Sequence, residues 1–411
     1  MNSSGKLPFS REQRRCLTLC FLSYAAAYTG RLNLSAALVG LKNSLALTDA
    51  RAGLFQTVFA LAYAAGQVFN GSRVDRVSAR RSIAVGLFAS AVCNLIFGLT
   101  ENAAVLTAVW ALNGAAQSML WTPIVKLTAT WFSGAERERA SVILSVTIIC
   151  GHLAAWGLSG TMASMFHWRF SFLLPAAILA AAGIAAAALL RDRPDAEAAD
   201  PSTVKAAPAV GRMALRPLIR STGLAALLAC CICNGFVRDS IVTWGPTILA
   251  ESGGLSLNAT LVSLVIPILN LCGVMVVRRC YRLLGGSARG AVGILLAGSA
   301  VVSLLMLPSG LGVIWSALML GLCCAANSGI NPMINTLIPM EYDGTGRVGL
   351  VAGLVDCFIY LGSALSGVVT GALSDAIGWH WVYAVWAFVS FAGALLAFCS
   401  AKRGKALTPT R

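Results

Sequence analysis

Tyr24, Tyr28, Arg31 and Ser35 stand out in a run from Cys16 to Leu41 that is otherwise apolar and long enough to cross a bilayer. At about 100° per residue the four fall within about 60° of one another, so two phenols, a guanidinium and a hydroxyl share one stripe of a helix. Its other faces are Ala and Leu. Arginine near the centre of a membrane helix costs about 2.5–3.5 kcal/mol on insertion scales, so the stripe is expected to face a wet, protein-lined cavity. A guanidinium stays protonated and presents a planar fork matched to carboxylate or phosphate oxygens. The chemistry on offer is oxyanion recognition.

A second arginine, Arg238, lies at comparable depth in another apolar run. Two such costly residues are poorly explained as unrelated structural features. A phosphate monoester carries about −1.5 to −2 near neutral pH, which two arginines nearly balance, whereas a monocarboxylate leaves one uncompensated. Further polar stripes accompany them: Gln56, Tyr63, Gln67 and Asn70 share one helical face, Ser145, His152 and Trp156 another, and Asn234 and Arg238 stand at i, i+4. Asp356, Tyr360 and Ser363 follow at i, i+4, i+7, and Asn327, Asn331 and Asn335 repeat along one run. These faces are expected to converge on one cavity. Polar side chains also join membrane helices to each other, so His152 and the asparagines read equally as interhelical partners. Lys126, near Trp131, reads as a side chain snorkelling to the interface.

The elements that must hold these groups follow from composition. The 411 residues are 57% hydrophobic and only 11% charged, too little polar surface for a soluble globule of this size. The chain is read as an all-α, multi-pass protein of the cell membrane. Apolar runs bounded by charges or turns give twelve spans: 16–41, 52–70, 82–99, 103–130, 140–163, 170–190, 221–250, 256–277, 290–307, 311–338, 348–374 and 381–400. Of the 31 lysines and arginines, 25 fall on the side that bears both termini and three on the other, with Arg31, Lys126 and Arg238 inside spans. Positive loops stay inside, so both termini are expected in the cytoplasm. The formal charge of +15 therefore marks topology and not nucleic acid. The thirteen cysteines sit mostly inside apolar runs and read as small packing residues.

Residues 191–220, rich in Asp, Ala and Pro without apolar periodicity, read as a cytoplasmic linker between a six-helix half at 1–190 and another at 221–411. Such a plan encloses a site near the bilayer midplane. After the second span comes Gly71-Ser72-Arg73-Val74-Asp75-Arg76, then Arg80-Arg81, which resembles the signature of the major facilitator superfamily between its second and third helices. Gly71, Asp75, Arg76 and Arg80 are expected to form a gating charge network at a helix junction. The corresponding stretch of the second half, Gly273 to Arg289, has Val277 where an acid is expected.

Tyr24-x3-Tyr28-x2-Arg31-x-Asn33 and Arg238-x5-Trp244-x-Pro246 resemble the first and seventh helices of the organophosphate:phosphate antiporter family within that superfamily; His152 after Cys150-Gly151 is similar to the histidine of its fifth. Trp168 with Pro175 and the Tyr360-Leu361-Gly362 run also fit. The resemblance implies exchange of a phosphate ester for inorganic phosphate, with Arg31 and Arg238 on the phosphoryl group, His152 assisting and Tyr24, Tyr28, Tyr63, Gln67 and Tyr360 lining the site. Two departures lower the positive charge: Gln67 stands where the glycerol-phosphate transporters carry lysine, and Asp356 adds an acid. A substrate with a compensating positive charge, or with only one negative charge, is one outcome. Asp356 is either a protonatable coupling group or the ion-pair partner of Arg31 or Arg238 in the empty state. The rival readings are a proton-coupled carboxylate symporter and a non-transporting phosphate-ester sensor. No nucleotide loop, metal cluster or activated nucleophile appears, so no enzyme activity or cofactor is expected, and the chain is expected to act as a monomer.

Overall fold

A computed structural model describes residues 9–73, 76–192, 222–253, 262–308, 312–342 and 347–404. The expected linker lies almost wholly outside these, as does Asp75. The described elements are helices: α1 (Arg11–Thr29), α2 (Asn33–Leu45), α3 (Asp49–Arg73), α4 (Ala79–Leu99), α5 (Ala103–Gln117), α6 (Trp121–Trp131), α7 (Gly134–Met165), α8 (Phe170–Leu189), α9 (Leu224–Gly253), α10 (Val265–Leu283), α11 (Ala288–Leu304), α12 (Gly312–Gly329) and α13 (Val348–Gly404). Among the described residues, eight stretches are long and apolar enough to cross a membrane by length and composition, and α11 is a shorter apolar helix. The last stretch is long enough for two crossings. It bends at Gly378, whose φ of 76° and ψ of 162° only glycine adopts readily, giving segments 348–377 and 379–404.

The expected span 16–41 is not one continuous helix. It breaks at residues 30–32, which places Arg31 in a turn between α1 and α2. The carbonyls freed at the end of α1 have no water to turn to in a bilayer, and amide side chains supply the missing donors. Asn94 Nδ2 (3.1 Å) and Asn113 Nδ2 (2.9 Å) donate to the Gly30 carbonyl, and Gln117 Nε2 donates to that of Ala27 at 3.0 Å. Asn33 Nδ2 donates to Asn94 Oδ1 at 2.8 Å and to the Ser171 carbonyl at 3.0 Å. A Cβ at position 30 would lie 2.4 Å from Leu179 Cδ1, so the turn also needs glycine for space. A similar break at 118–120 divides the expected span 103–130 into α5 and α6.

The α3 helix and segment 348–377 run side by side with almost no side chain between them at one end. A Cβ on Gly53 would lie 2.1 Å from the Gly367 carbonyl oxygen, and one on Gly371 2.3 Å from that of Asp49. Thr57 Oγ1 donates to the Ala364 carbonyl at 2.6 Å, and the Tyr63 and Tyr360 rings meet with centroids 4.9 Å apart. At the closed end Asp375 receives the first backbone N–H groups of α3, Lys42 pairs with Asp49, and Lys42 reaches Glu251 at 3.4 Å. The assembly is therefore closed at the Asp49–Asp375 end.

The acid expected near Val277 comes from elsewhere. Val277 is fully buried, and Arg289, only 2% exposed, donates to Glu341 Oε2 (2.9 Å), the Thr222 carbonyl (2.7 Å), the Ser400 carbonyl (3.0 Å) and the Tyr342 hydroxyl (3.0 Å). One guanidinium thus ties α11 to the chain before α9, to the turn after residue 340 and to segment 379–404. At the expected gating loop, Ser78 Oγ donates to Asp192, and Arg80 N donates to the same carboxylate at 3.2 Å. That acid caps α4. Gly71 has open space around it and Arg76 is exposed.

Candidate substrate-binding site

The turn at residues 30–32 presents the Arg31 guanidinium to aromatic faces: its Cζ lies 4.9 Å from the Tyr63 ring centroid, 5.2 Å from that of Phe59 and 6.0 Å from that of Tyr28. Aromatic faces attract the cation without using its N–H donors. Among the described residues the Arg31 guanidinium has no carboxylate or hydrogen-bond partner. Its five donors are available to an anion.

The predicted tyrosines form a continuous aromatic wall beside it. Tyr24 packs on Trp121 (4.8 Å) and edge-on to Tyr28 (5.3 Å), which packs on the His152 ring (5.0 Å). Gln67 Nε2 donates to the Tyr63 hydroxyl at 3.1 Å, and the Thr122 hydroxyl donates to Gln67 Oε1 at 3.3 Å. Ser35, grouped with the site by its helical angle, lines a cavity with Arg31 and accepts from Trp156 Nε1 at 2.9 Å. His152 Nδ1 lies 2.8 Å from the Ile148 carbonyl. A carbonyl can only accept, so Nδ1 carries the hydrogen and the neutral ring offers a lone pair at Nε2. His152 is then an acceptor for an O–H and donates to an oxyanion only as imidazolium.

Arg238 is held differently. Its Nε and Nη2 meet the two oxygens of the neighbouring Asp239 at 2.8 and 3.0 Å, and Nη1 donates to Asn331 Oδ1 at 3.3 Å. The fork expected to lie open for substrate is occupied by a carboxylate of the chain itself. Asp356, expected as a possible ion-pair partner of Arg31 or Arg238, forms no ion pair among the described residues; it is half-buried one turn before Tyr360. Asp239 takes the role. Arg31, Ser35, Gln56, Asp239 and Thr243 line one cavity of about 30 Å3, room for a water molecule.

Several expected stripe members face elsewhere. Asn327 donates to Ser299 Oγ at 2.7 Å inside the packing of α11 and α12, Asn70 donates to Ser118 Oγ at 2.8 Å, and Ser145 donates back to the Ser141 carbonyl. Lys126 donates to the Val77 carbonyl at 3.2 Å, just before α4, as a snorkelling side chain would. Asp239, Phe59 and Trp121 are the site residues the sequence did not single out. Phe59 and Trp121 carry no signal apart from their apolar surroundings.

Residues 20–355 match the family described as the Major Facilitator Superfamily. The chain is 23% identical to the membrane sensor protein UhpC of Salmonella typhimurium over 93% of its own length and 90% of the relative's. It is 24% identical to the glycerol-3-phosphate transporter of Bacillus subtilis over 88% and 86%. A probable hexose phosphate transport protein of Chlamydia trachomatis is 26% identical over 42% of this chain and 38% of its own. Among solved structures, a bacterial homolog of the human lysosomal transporter Spinster superposes with a TM-score of 0.77 at 13% identity, over 98% of this chain and 100% of that one.

Proposed function

Because the chain belongs to the Major Facilitator Superfamily, its matches lying among the organophosphate:phosphate antiporters, we propose that it carries organic phosphate or phosphonate anions across the cell membrane in exchange for inorganic phosphate. The reading has twelve spans in two six-helix halves joined by the linker at 191–220, with both termini cytoplasmic and the chain acting alone. The observation that carries it is Arg31. A guanidinium boxed by Tyr28, Phe59 and Tyr63, without a counter-ion among the described residues, is built to receive an anion. Arg238 stands as the second cationic wall, the tyrosines and His152 as the lining.

Closure at the Asp49–Asp375 end supports alternating access, with the site in this reading facing the cytoplasm. Substrate entering from outside requires α3 and segment 348–377 to part, and the glycine-lined contact between them is flat enough to do so as a unit. The neutral His152 acceptor favours a phosphoryl group that retains one proton, since a P–O–H donates to Nε2 where a fully ionised oxygen is repelled.

Purified protein in vesicles loaded with inorganic phosphate tests the reading. Uptake of a labelled phosphate ester should depend on internal phosphate, and Arg31→Lys should lose most of it. A protein that binds the ester without counterflow is a sensor, the reading favoured by its relative's description as a membrane sensor. Uptake of carboxylates alone overturns the phosphoryl assignment.

A further inference from the structure

The pair Arg238–Asp239 is the feature a simple anion site does not need. Asp239 is 8% exposed and lines the same water-sized cavity as Arg31, so its carboxylate lies close to the guanidinium that an anion would meet. An anion brought to Arg31 is repelled by that carboxylate, and an unpaired buried carboxylate is costly. Arg238 relieves part of that cost with two hydrogen bonds and the Ser363 hydroxyl adds a third, which leaves one of the carboxylate's four lone pairs for a further donor.

Formal charge points the same way. On the cavity wall Arg31 brings one positive charge and Asp239 one negative. Such a wall is met at least electrostatic cost by a ligand that carries one charge of each sign. The two sides of the site are polarised to match. Around Arg31 the walls are aromatic and leave the guanidinium unpaired; around Arg238 they are a carboxylate and the Asn331 amide.

We infer that the substrate is a zwitterion, a phosphonate or phosphate ester carrying a primary amine a short chain away, whose phosphoryl group meets Arg31 while its ammonium meets Asp239. This rests on the organophosphate reading above and makes Asp239 the specificity-determining residue. Arg238 acts through it, as a positioning residue that fixes the carboxylate, while also adding its field to the phosphoryl side. An amine-free ester of equal size offers nothing to Asp239 and is repelled by it.

The test is equilibrium binding of 2-aminoethylphosphonate, 2-hydroxyethylphosphonate and ethylphosphonate to the purified full chain, wild type and Asp239→Asn. The wild type should bind the amine about tenfold or more tightly than the other two, the scale of one close charge pair. Asp239→Asn should bring the three within about twofold, chiefly by gaining affinity for ethylphosphonate as repulsion is removed. Equal or tighter wild-type binding of ethylphosphonate, lost in Arg31→Lys, overturns the zwitterion while leaving the phosphonate site standing. Binding of propionate or 3-aminopropionate with none of the phosphonates overturns the underlying reading instead. Uptake of ethylphosphonate together with protons overturns the inference too, since a proton would then satisfy Asp239. The wild-type comparison decides the matter even if the variant fails to fold.

Discussion

The carboxylate of Asp375 accepts the backbone N–H of Asp49 at 2.9 Å and that of Ala50 at 2.8 Å, so the end of segment 348–377 caps the start of α3. Ser374 Oγ adds a donation to Asp49 Oδ2 at 2.8 Å. Asp375 thereby gives two otherwise unsatisfied donors a charged acceptor at the positive end of a helix.

This cap should act as a latch on the closed end. Asp375→Ala removes charge-assisted bonds worth about 1.5–3 kcal/mol each, against a difference between states of a few kcal/mol, so the outward-open population should rise by about tenfold or more. Labelling of Gln56→Cys with a membrane-impermeant maleimide from outside, measured above the native cysteine background, reads the shift. Unchanged labelling would show that the glycine contact holds the end shut without the cap.

Arg31→Lys should lower phosphonate affinity by about 10- to 100-fold, because a point ammonium cannot reproduce the fork's hydrogen bonds. Arg238→Lys should cost less in affinity than Arg31→Lys, since part of its work is to hold Asp239, and should weaken the preference for amine-bearing ligands. Titration of both variants with 2-aminoethylphosphonate and ethylphosphonate separates the two effects. Equal losses for both ligands in both variants would assign the arginines one shared role.

The turn that carries Arg31 should be sensitive to a single methyl group. Gly30→Ala places a Cβ 2.4 Å from Leu179 Cδ1 and 2.9 Å from Asn94 Nδ2, so either the leucine moves or the amide that caps α1 is displaced. A cost of about 1–3 kcal/mol is expected from overpacking. Leu179→Ala in the same chain should recover part of the melting temperature, and binding should recover with it. Recovery of the melt without binding would show that the Asn94 bond, and not the leucine contact, sets the position of Arg31.

Glu341→Gln should destabilise the protein by about 1–3 kcal/mol. The estimate is below that for a fully buried pair, because the Glu341 side chain is 25% exposed while that of Arg289 is 3%. Arg289 retains its carbonyl partners, so the variant should fold with a lower melting temperature and unchanged ligand affinity. A change in affinity would extend the influence of this knot to the site.

Arg31 was legible in the sequence because its cost in an apolar run demands a reason, and the tyrosine spacing gave its surroundings. The break in the helix around it was not. Asn94, Asn113 and Gln117 look like any amides within apolar helices, and only the turn at Gly30 reveals that they replace lost backbone donors. Asp239 was hidden for a geometric reason: neighbours on a helix point about 100° apart, so spacing rules pair i with i+3 and i+4 and pass over a guanidinium that curls back on the next residue. The break at Gly378, by contrast, was legible, since turn residues ended one span at 374 and opened the next at 381 although hydropathy continues across it. Glu341 was missed because the acid that answers Arg289 lies far along the chain from the stretch in which one was sought.

His152 supplies the last prediction. With Nδ1 committed to the Ile148 carbonyl, Nε2 of the neutral ring distinguishes a phosphoryl oxygen that carries a proton from one that is esterified. Methylphosphonate monoanion has such a proton and its O-methyl ester does not, yet both carry one negative charge. The wild type should therefore favour the acid over the ester by about fivefold or more, the worth of a hydrogen bond of about 1 kcal/mol. His152→Leu, which keeps an apolar body against Tyr28 and removes the acceptor, should erase that preference while leaving the ester's affinity nearly unchanged. If His152→Leu instead weakens both ligands equally, the ring acts as imidazolium toward the anion, and the tautomer set by Ile148 in the empty site is not the one that meets substrate.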